Sequence, residues 1–145
     1  MEIHTIGFTQ RTAEDFFEQL RGAGVRRLID TRLNNTSQLA AFAKRDDLAY
    51  FVQALLDGDY LHEPLLAPSD DLLTAYKKKR SGWDEYESVY VDLLGERSIE
   101  TRLDPRTFDV PAVLLCSEHS PQHCHRRLAA EYLDARWGGV RIIHL

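Results

Sequence analysis

The first thirty residues constrain the fold more than any other stretch, because strand, helix and strand follow one another there. Residues 3–6, Ile-His-Thr-Ile, form a short apolar run that ends at Gly7. Thr12-Ala13-Glu14-Asp15 resembles a capping box with Asp in the place of the usual Glu. Phe16, Phe17, Leu20 and Ala23 recur at helical spacing, and Gly22 and Gly24 mark the end of that helix. Residues 25–30 then read as a second strand. A strand–helix–strand unit this compact implies two parallel strands joined by a right-handed crossover, and therefore an α/β protein.

The rest of the chain continues the pattern. A loop rich in Asn and hydroxyl residues runs over 33–37. A helix is expected over 46–56, with Leu48, Phe51, Val52 and Leu55 as its buried stripe and Gly58 beyond it. Tyr60-Leu61-His62 reads as a brief third strand, stopped by Pro64. Residues 65–107 are helical in character. One helix starts near Ser69 and ends in the run Lys77-Lys78-Lys79-Arg80. The next carries Trp83, Tyr86, Tyr90, Leu93 and Leu94 at spacings of three and four, which suits a packed helix face. The fourth strand falls at 111–116 and the fifth at 140–144. The whole is one α/β domain over 1–145, with a mostly parallel sheet of about five strands flanked by helices. A chain of 145 residues is long enough to bury a sizeable core in one domain.

Several function classes are disfavoured at once. No apolar run approaches the ~20 residues that span a bilayer, so no membrane partner is expected. The first residues lack a basic segment followed by an apolar one, the mark of a secretory signal. Two cysteines do not make a disulfide-rich secreted scaffold. A reducing cytoplasm is the expected setting. A formal charge of −5 argues against general nucleic-acid binding. The 77–80 run leaves room for a local phosphate contact, although such runs are commonly solvated helix ends.

The chemistry gathers after the fourth strand. Residues 113–127 read Val-Leu-Leu-Cys-Ser-Glu-His-Ser-Pro-Gln-His-Cys-His-Arg-Arg. An apolar strand runs into a cluster of reactive side chains and then into a helix. Ser120 is placed to cap that helix and Pro121 suits its first position. The helix continues through Leu128, Ala129, Tyr132, Leu133 and Trp137 to Gly138-Gly139. Ligands of open α/β sheets bind at such strand ends. Cys124, near a helix N-terminus and beside His123, His125 and Arg126, has the setting of an activated thiol, and equally that of a buried packing residue. Cys116, Glu118, His119, His123, Cys124 and His125 are all possible metal ligands. Their spacing fits no standard zinc pattern, and neighbours 124 and 125 on a helix would face different ways, so no metal is assigned. A Cys116–Cys124 disulfide is geometrically open but disfavoured in a reducing compartment. Asp30 and Arg32, just past the second strand, belong to the same sheet edge if the sheet is parallel. Two readings of these charges stand side by side. Asp30, Arg32, Glu118 and Arg126 either handle protons and hold an anion or tie the loops together as ion pairs.

These residues carry a resemblance. Thr5-Ile6-Gly7, Asp30-x-Arg32 with Ser37 and Phe42 beyond it, Tyr60-x-His62, and Leu115-Cys116-x-Glu118 followed by Cys124-His125-Arg126 resemble the DUF488 family over almost the whole chain. The chain departs from the family pattern at Phe8 and Thr9, at Asn35 and at Leu65-Leu66-Ala67. The resemblance implies the α/β fold and nominates site residues, but no reaction, cofactor or oligomeric state.

The combined expectation is an enzyme acting on a small anionic ligand, phosphate-bearing or nucleotide-like, at the carboxyl edge of the sheet. Glu118, Cys124, His125 and Asp30 are the candidate catalytic residues. Arg32, Arg126, Gly7, His62 and Ser37 are the candidate substrate contacts. The alternative is a non-catalytic module that binds a ligand or a nucleic acid.

Overall fold

The computed structural model describes residues 1–36 and 40–145, so Ser37 lies outside the described residues. Five strands form one sheet: β1 (Glu2–Gly7), β2 (Arg27–Asp30), β3 (Asp59–His62), β4 (Ala112–Cys116) and β5 (Arg141–His144). Their spatial order is β3-β2-β4-β1-β5, and every pairing is parallel.

β4 is the centre. It is buried along its whole length, which accounts for the unbroken apolar run Val113-Leu114-Leu115: both faces of a central parallel strand are covered. Side chains alternate between those faces. Val113 and Leu115, with Ile6 and Leu28, pack under α1 (Ala13–Gly22) and α2 (Arg45–Leu56). Ala112 and Leu114, with Ile3 and Ile29, pack against the second helical layer. That layer contains α3 (Asp70–Lys77), α4 (Trp83–Glu96), α5 (Ile99–Arg102) and α6 (His125–Trp137). Among the described residues no helix is long and apolar enough to cross a membrane.

Local signals explain most boundaries. Thr12 caps α1 by accepting from the Asp15 N–H at 3.0 Å, and Ser69 caps α3 in the same way through Leu72 at 3.2 Å. Gly138 and Gly139, at φ +74° and +67°, stop α6 in a conformation that side chains resist. The stripe of α4 buries Tyr86, Tyr90 and Leu94.

Two expectations need correction. In α2, Leu55 is exposed and Leu56 is buried in its place, because the helix axis turns that side toward β3 and α1. More consequentially, α6 starts at His125 rather than at Pro121. Residues 117–123 remain a loop, and Ser120 Oγ reaches only Gln122, accepting from its N–H at 3.4 Å and donating to its Oε1 at 3.5 Å. Cys124 is therefore the extended residue just before the helix (φ −141°, ψ 139°) and not a member of its first turn.

Leu114 is completely buried between β4's neighbours and α6. Leu114→Ala is expected to lower unfolding free energy by about 2–5 kcal/mol with an unchanged urea m-value, measured by equilibrium denaturation.

Candidate functional site

β1 and β4 are neighbours, yet the chain leaves them on opposite faces of the sheet, into α1 and α6 respectively. A crevice opens where connections diverge in this way. Here it becomes a cleft of about 820 Å³ at the carboxyl ends of β1, β2 and β4. Phe8, Arg11, Arg32, Cys116, Glu118, Cys124 and His125 are among its lining residues, and Tyr76, Lys77, Trp83, Tyr86 and His123 come from the far wall.

The charge at its base is held by a buried clamp. Asp30 is wholly buried and Arg32 is 3 % exposed. Arg32 Nε and Nη2 each donate to the Asp30 carboxylate at 2.8 Å, and the Arg32 backbone N–H adds a third bond at 3.1 Å. Tyr60 Oη, from β3, also donates to Asp30. Burial by itself would raise the Asp30 pKa. The Arg32 hydrogen bonds and charge, joined by the Tyr60 hydroxyl, outweigh it and hold the carboxylate below its ordinary range. Tyr60 is pushed the other way, by burial and then by the carboxylate, and so stays a donor. Asp30 is fully engaged and sits behind the cleft. Arg32 faces it with one donor to spare: among the described residues its buried Nη1 has no partner.

The second arginine is used differently. Arg126 is fully buried. Its Nη1 donates to the Glu118 carbonyl oxygen, and Nη2 donates to the His119 carbonyl at 3.1 Å. Burial, aided by Arg11, lowers its pKa to about 10, so it stays charged at neutral pH. It does not line the cleft; it pins the 117–123 loop. Gly7 makes room for that contact, since an added Cβ would overlap the Glu118 carbonyl and Arg126 Nη1. Glu118 is thereby presented at the cleft rim with its carboxylate free of hydrogen bonds and ion pairs among the described residues. His62 is bound through Nε2 to the Arg32 carbonyl at 2.9 Å, outside the lining.

Cys116 and Cys124 are joined as a disulfide, contrary to the expectation from a reducing compartment. The loop of 117–123 doubles back and brings the end of β4 against the start of α6. In this state the chain has no free cysteine and Cys124 is not available as a nucleophile. His125 beside it has a defined tautomer. Its Nε2 lies 2.9 Å from the Thr31 carbonyl, which can only accept, so Nε2 carries the hydrogen. The Thr31 hydroxyl donates to Leu115 O at 2.7 Å and accepts from the same Nε2 at 3.0 Å. Nδ1 is left with a lone pair. Burial drives the His125 pKa down to about 4 against the opposing pull of the Thr31 carbonyl, so the ring is neutral near pH 7.

Of the residues nominated from sequence, Arg32, Glu118, Cys124 and His125 meet at the cleft. Asp30, Arg126, Gly7 and His62 support them from behind. Trp83 and Tyr86 on the far wall read from sequence as a packed helix face alone. Trp83 stacks on Tyr86 (centroids 5.1 Å apart, planes at 16°) and on His123 (5.1 Å, 27°). The three-and-four spacing of these aromatics signals a buried face, and nothing in it distinguishes the ring that ends at a cleft. Lys77, the first residue of the basic run, also reaches the lining.

A family model described as "Domain of unknown function DUF488" matches residues 12–133. No curated protein and no solved structure matches the chain.

Asp30→Asn leaves Arg32 as a buried charge without its counter-ion. It is expected to cost about 3–5 kcal/mol at pH 7. The folded pKa of Asp30 is depressed, so its contribution is present above the unfolded value near 3.8 and is lost as pH falls through the folded one. Denaturation curves for the two proteins should therefore begin to approach each other as pH falls below about 4, and meet only below the folded pKa of Asp30.

Proposed function

The chain belongs to the DUF488 family, whose description assigns no reaction, and from that premise we propose an enzyme whose cleft takes a small anionic, nucleotide-like ligand. The observation that carries this reading is the spare Nη1 of Arg32. It is a buried donor on a permanent cation, with its other nitrogens locked on Asp30. A phosphate or carboxylate oxygen is the partner such a donor lacks. Two features support the rest of the ligand. No side chain caps the first turn of α6, so its free N–H groups favour an anion at the end that borders the cleft. The Trp83–Tyr86–His123 wall presents ring faces on which a planar base would stack.

In this reading Arg32 binds the anion and Lys77 adds charge at the rim. Glu118 transfers a proton at the ligand, with the Nδ1 lone pair of His125 as a second acceptor. Arg126 and Gly7 are positioning residues that set where Glu118 stands. Asp30 orients Arg32.

A second reading has its own observation. Lys78, Lys79 and Arg80 are exposed and follow Lys77 in the chain, as a track for a single-stranded backbone would.

The test is equilibrium binding of nucleoside monophosphates and inorganic phosphate, followed by titration calorimetry, with product analysis on the same mixtures. Arg32→Lys should weaken binding about 10- to 100-fold, since a charge-assisted hydrogen bond is worth about 1.5–3 kcal/mol. Trp83→Ala should cost about 1–3 kcal/mol for nucleotides and nothing for phosphate. Glu118→Gln should keep binding and lose turnover. Equal affinities in wild type and both binding variants would sink the proposal. An oligonucleotide that binds more tightly than any mononucleotide, with a steep salt dependence, would favour the binding module instead.

A further inference from the structure

We infer that Cys116, Cys124 and His125 form a binding site for a thiolate-preferring divalent cation, zinc above all, on the floor of the cleft. Their two Sγ atoms and one imidazole nitrogen of His125 all lie within 4.8 Å of one another. The objection raised by sequence, that adjacent residues of a helix face different ways, does not apply. Cys124 is extended and His125 is the first helical residue, so the change of backbone conformation between them lets both side chains converge on Cys116 at the end of β4.

Three further observations fit a metal. First, His125 offers Nδ1 with its lone pair because Nε2 donates to the Thr31 carbonyl. A backbone carbonyl on the distal nitrogen is the usual device that fixes a metal-binding imidazole. Second, the two cysteine Cα atoms are 7.2 Å apart, beyond the usual disulfide span of about 4.4–6.8 Å. Two thiolates about 2.3 Å from one tetrahedral ion stand roughly 3.8 Å apart, which this backbone separation accommodates. Third, Arg126 Nη1 lies 3.4 Å from Cys116 Sγ as a donor, which favours the thiolate. All three ligand residues line the cleft, so water or an anionic group in it could supply a fourth ligand.

The disulfide is the oxidised, non-binding form of the same pair. A phosphine reduces it: the phosphine takes oxygen from water to become the phosphine oxide, the S–S bond breaks, and the two water protons give two thiols. Binding of the cation releases both thiol protons. The site stands on different atoms from the anion contacts of Arg32 and Trp83. With the cation bound, Nδ1 of His125 is a ligand and proton transfer rests on Glu118.

The experiment is titration of the phosphine-reduced, metal-free full chain with Co²⁺, followed by displacement with Zn²⁺. The expected result is one cobalt per chain, with thiolate-to-cobalt charge-transfer bands and the visible bands of a tetrahedral ion, both abolished by zinc. His125→Gln and Cys124→Ser, with folding checked by circular dichroism, should weaken cobalt binding more than about 100-fold; Glu118→Gln should not. If the buried Cys116→Ser fails to fold, the wild-type titration and His125→Gln still decide the matter. Two titratable thiols with no cobalt bands would overturn the site, as would cysteines that stay bonded under the phosphine. Neither result touches nucleotide binding by the metal-free chain, so the two proposals fail separately.

Discussion

Burying the charges of Asp30 and Arg32 is costly unless each is answered, and the sheet edge is built to answer them. Arg32 gives Asp30 three of its hydrogen bonds, and Tyr60 supplies another from the neighbouring strand. Parallel pairing makes this possible, because β2 and β3 run in register with Asp30 beside His62 and Leu28 beside Tyr60. The carboxylate is saturated and the guanidinium is not. One nitrogen remains without a partner, at the place where the cleft begins. A local stability problem thus leaves an unpaired donor on a residue of the cleft lining.

The central strand imposes the second constraint. β4 lies between β1 and β2, so three strand ends deliver their loops to one place. Residues far apart in the chain become neighbours there. Gly7 pairs with Cys116, and Asp30 with Leu115. Gly7 carries no side chain, and the loop after β4 closes over it with Arg126 as its pin. The two arginines that look alike in sequence therefore do different work. Arg126 directs both Nη atoms to loop carbonyls, and Arg32 leaves Nη1 unpaired beside Asp30.

Much of this was legible from residue patterns. The five strands and the parallel sheet follow from short apolar runs alternating with helical stripes; the β1–β2 pair that a βαβ opening implies does not form, because β4 is inserted between them. The site's location follows too, because polar clusters after strands share one edge in a parallel sheet. The role of the 117–124 segment did not follow. Ser120-Pro121 has the chemistry of a helix start, but Arg126 holds the carbonyls of Glu118 and His119 in a loop, and tertiary bonds outweighed that local preference. The aromatic wall was equally hidden, since a stripe that packs and a stripe that ends at a cleft share one periodicity.

Sequence alone therefore determined the α/β class and the edge at which chemistry gathers, because hydrophobic periodicity reflects the local burial of apolar residues, whereas the spatial order of the strands was decided by tertiary structure. Tertiary structure decided which of the gathered groups are spent and which are free. Asp30 is satisfied internally, Arg126 commits both Nη atoms to the loop while its buried Nε has no partner among the described residues, Arg32 keeps Nη1 unpaired, and Cys116, Cys124 and His125 converge. Those outcomes depend on hydrogen bonds between residues up to about a hundred positions apart, such as His125 to Thr31, at a separation of 94. No local pattern encodes such a partner.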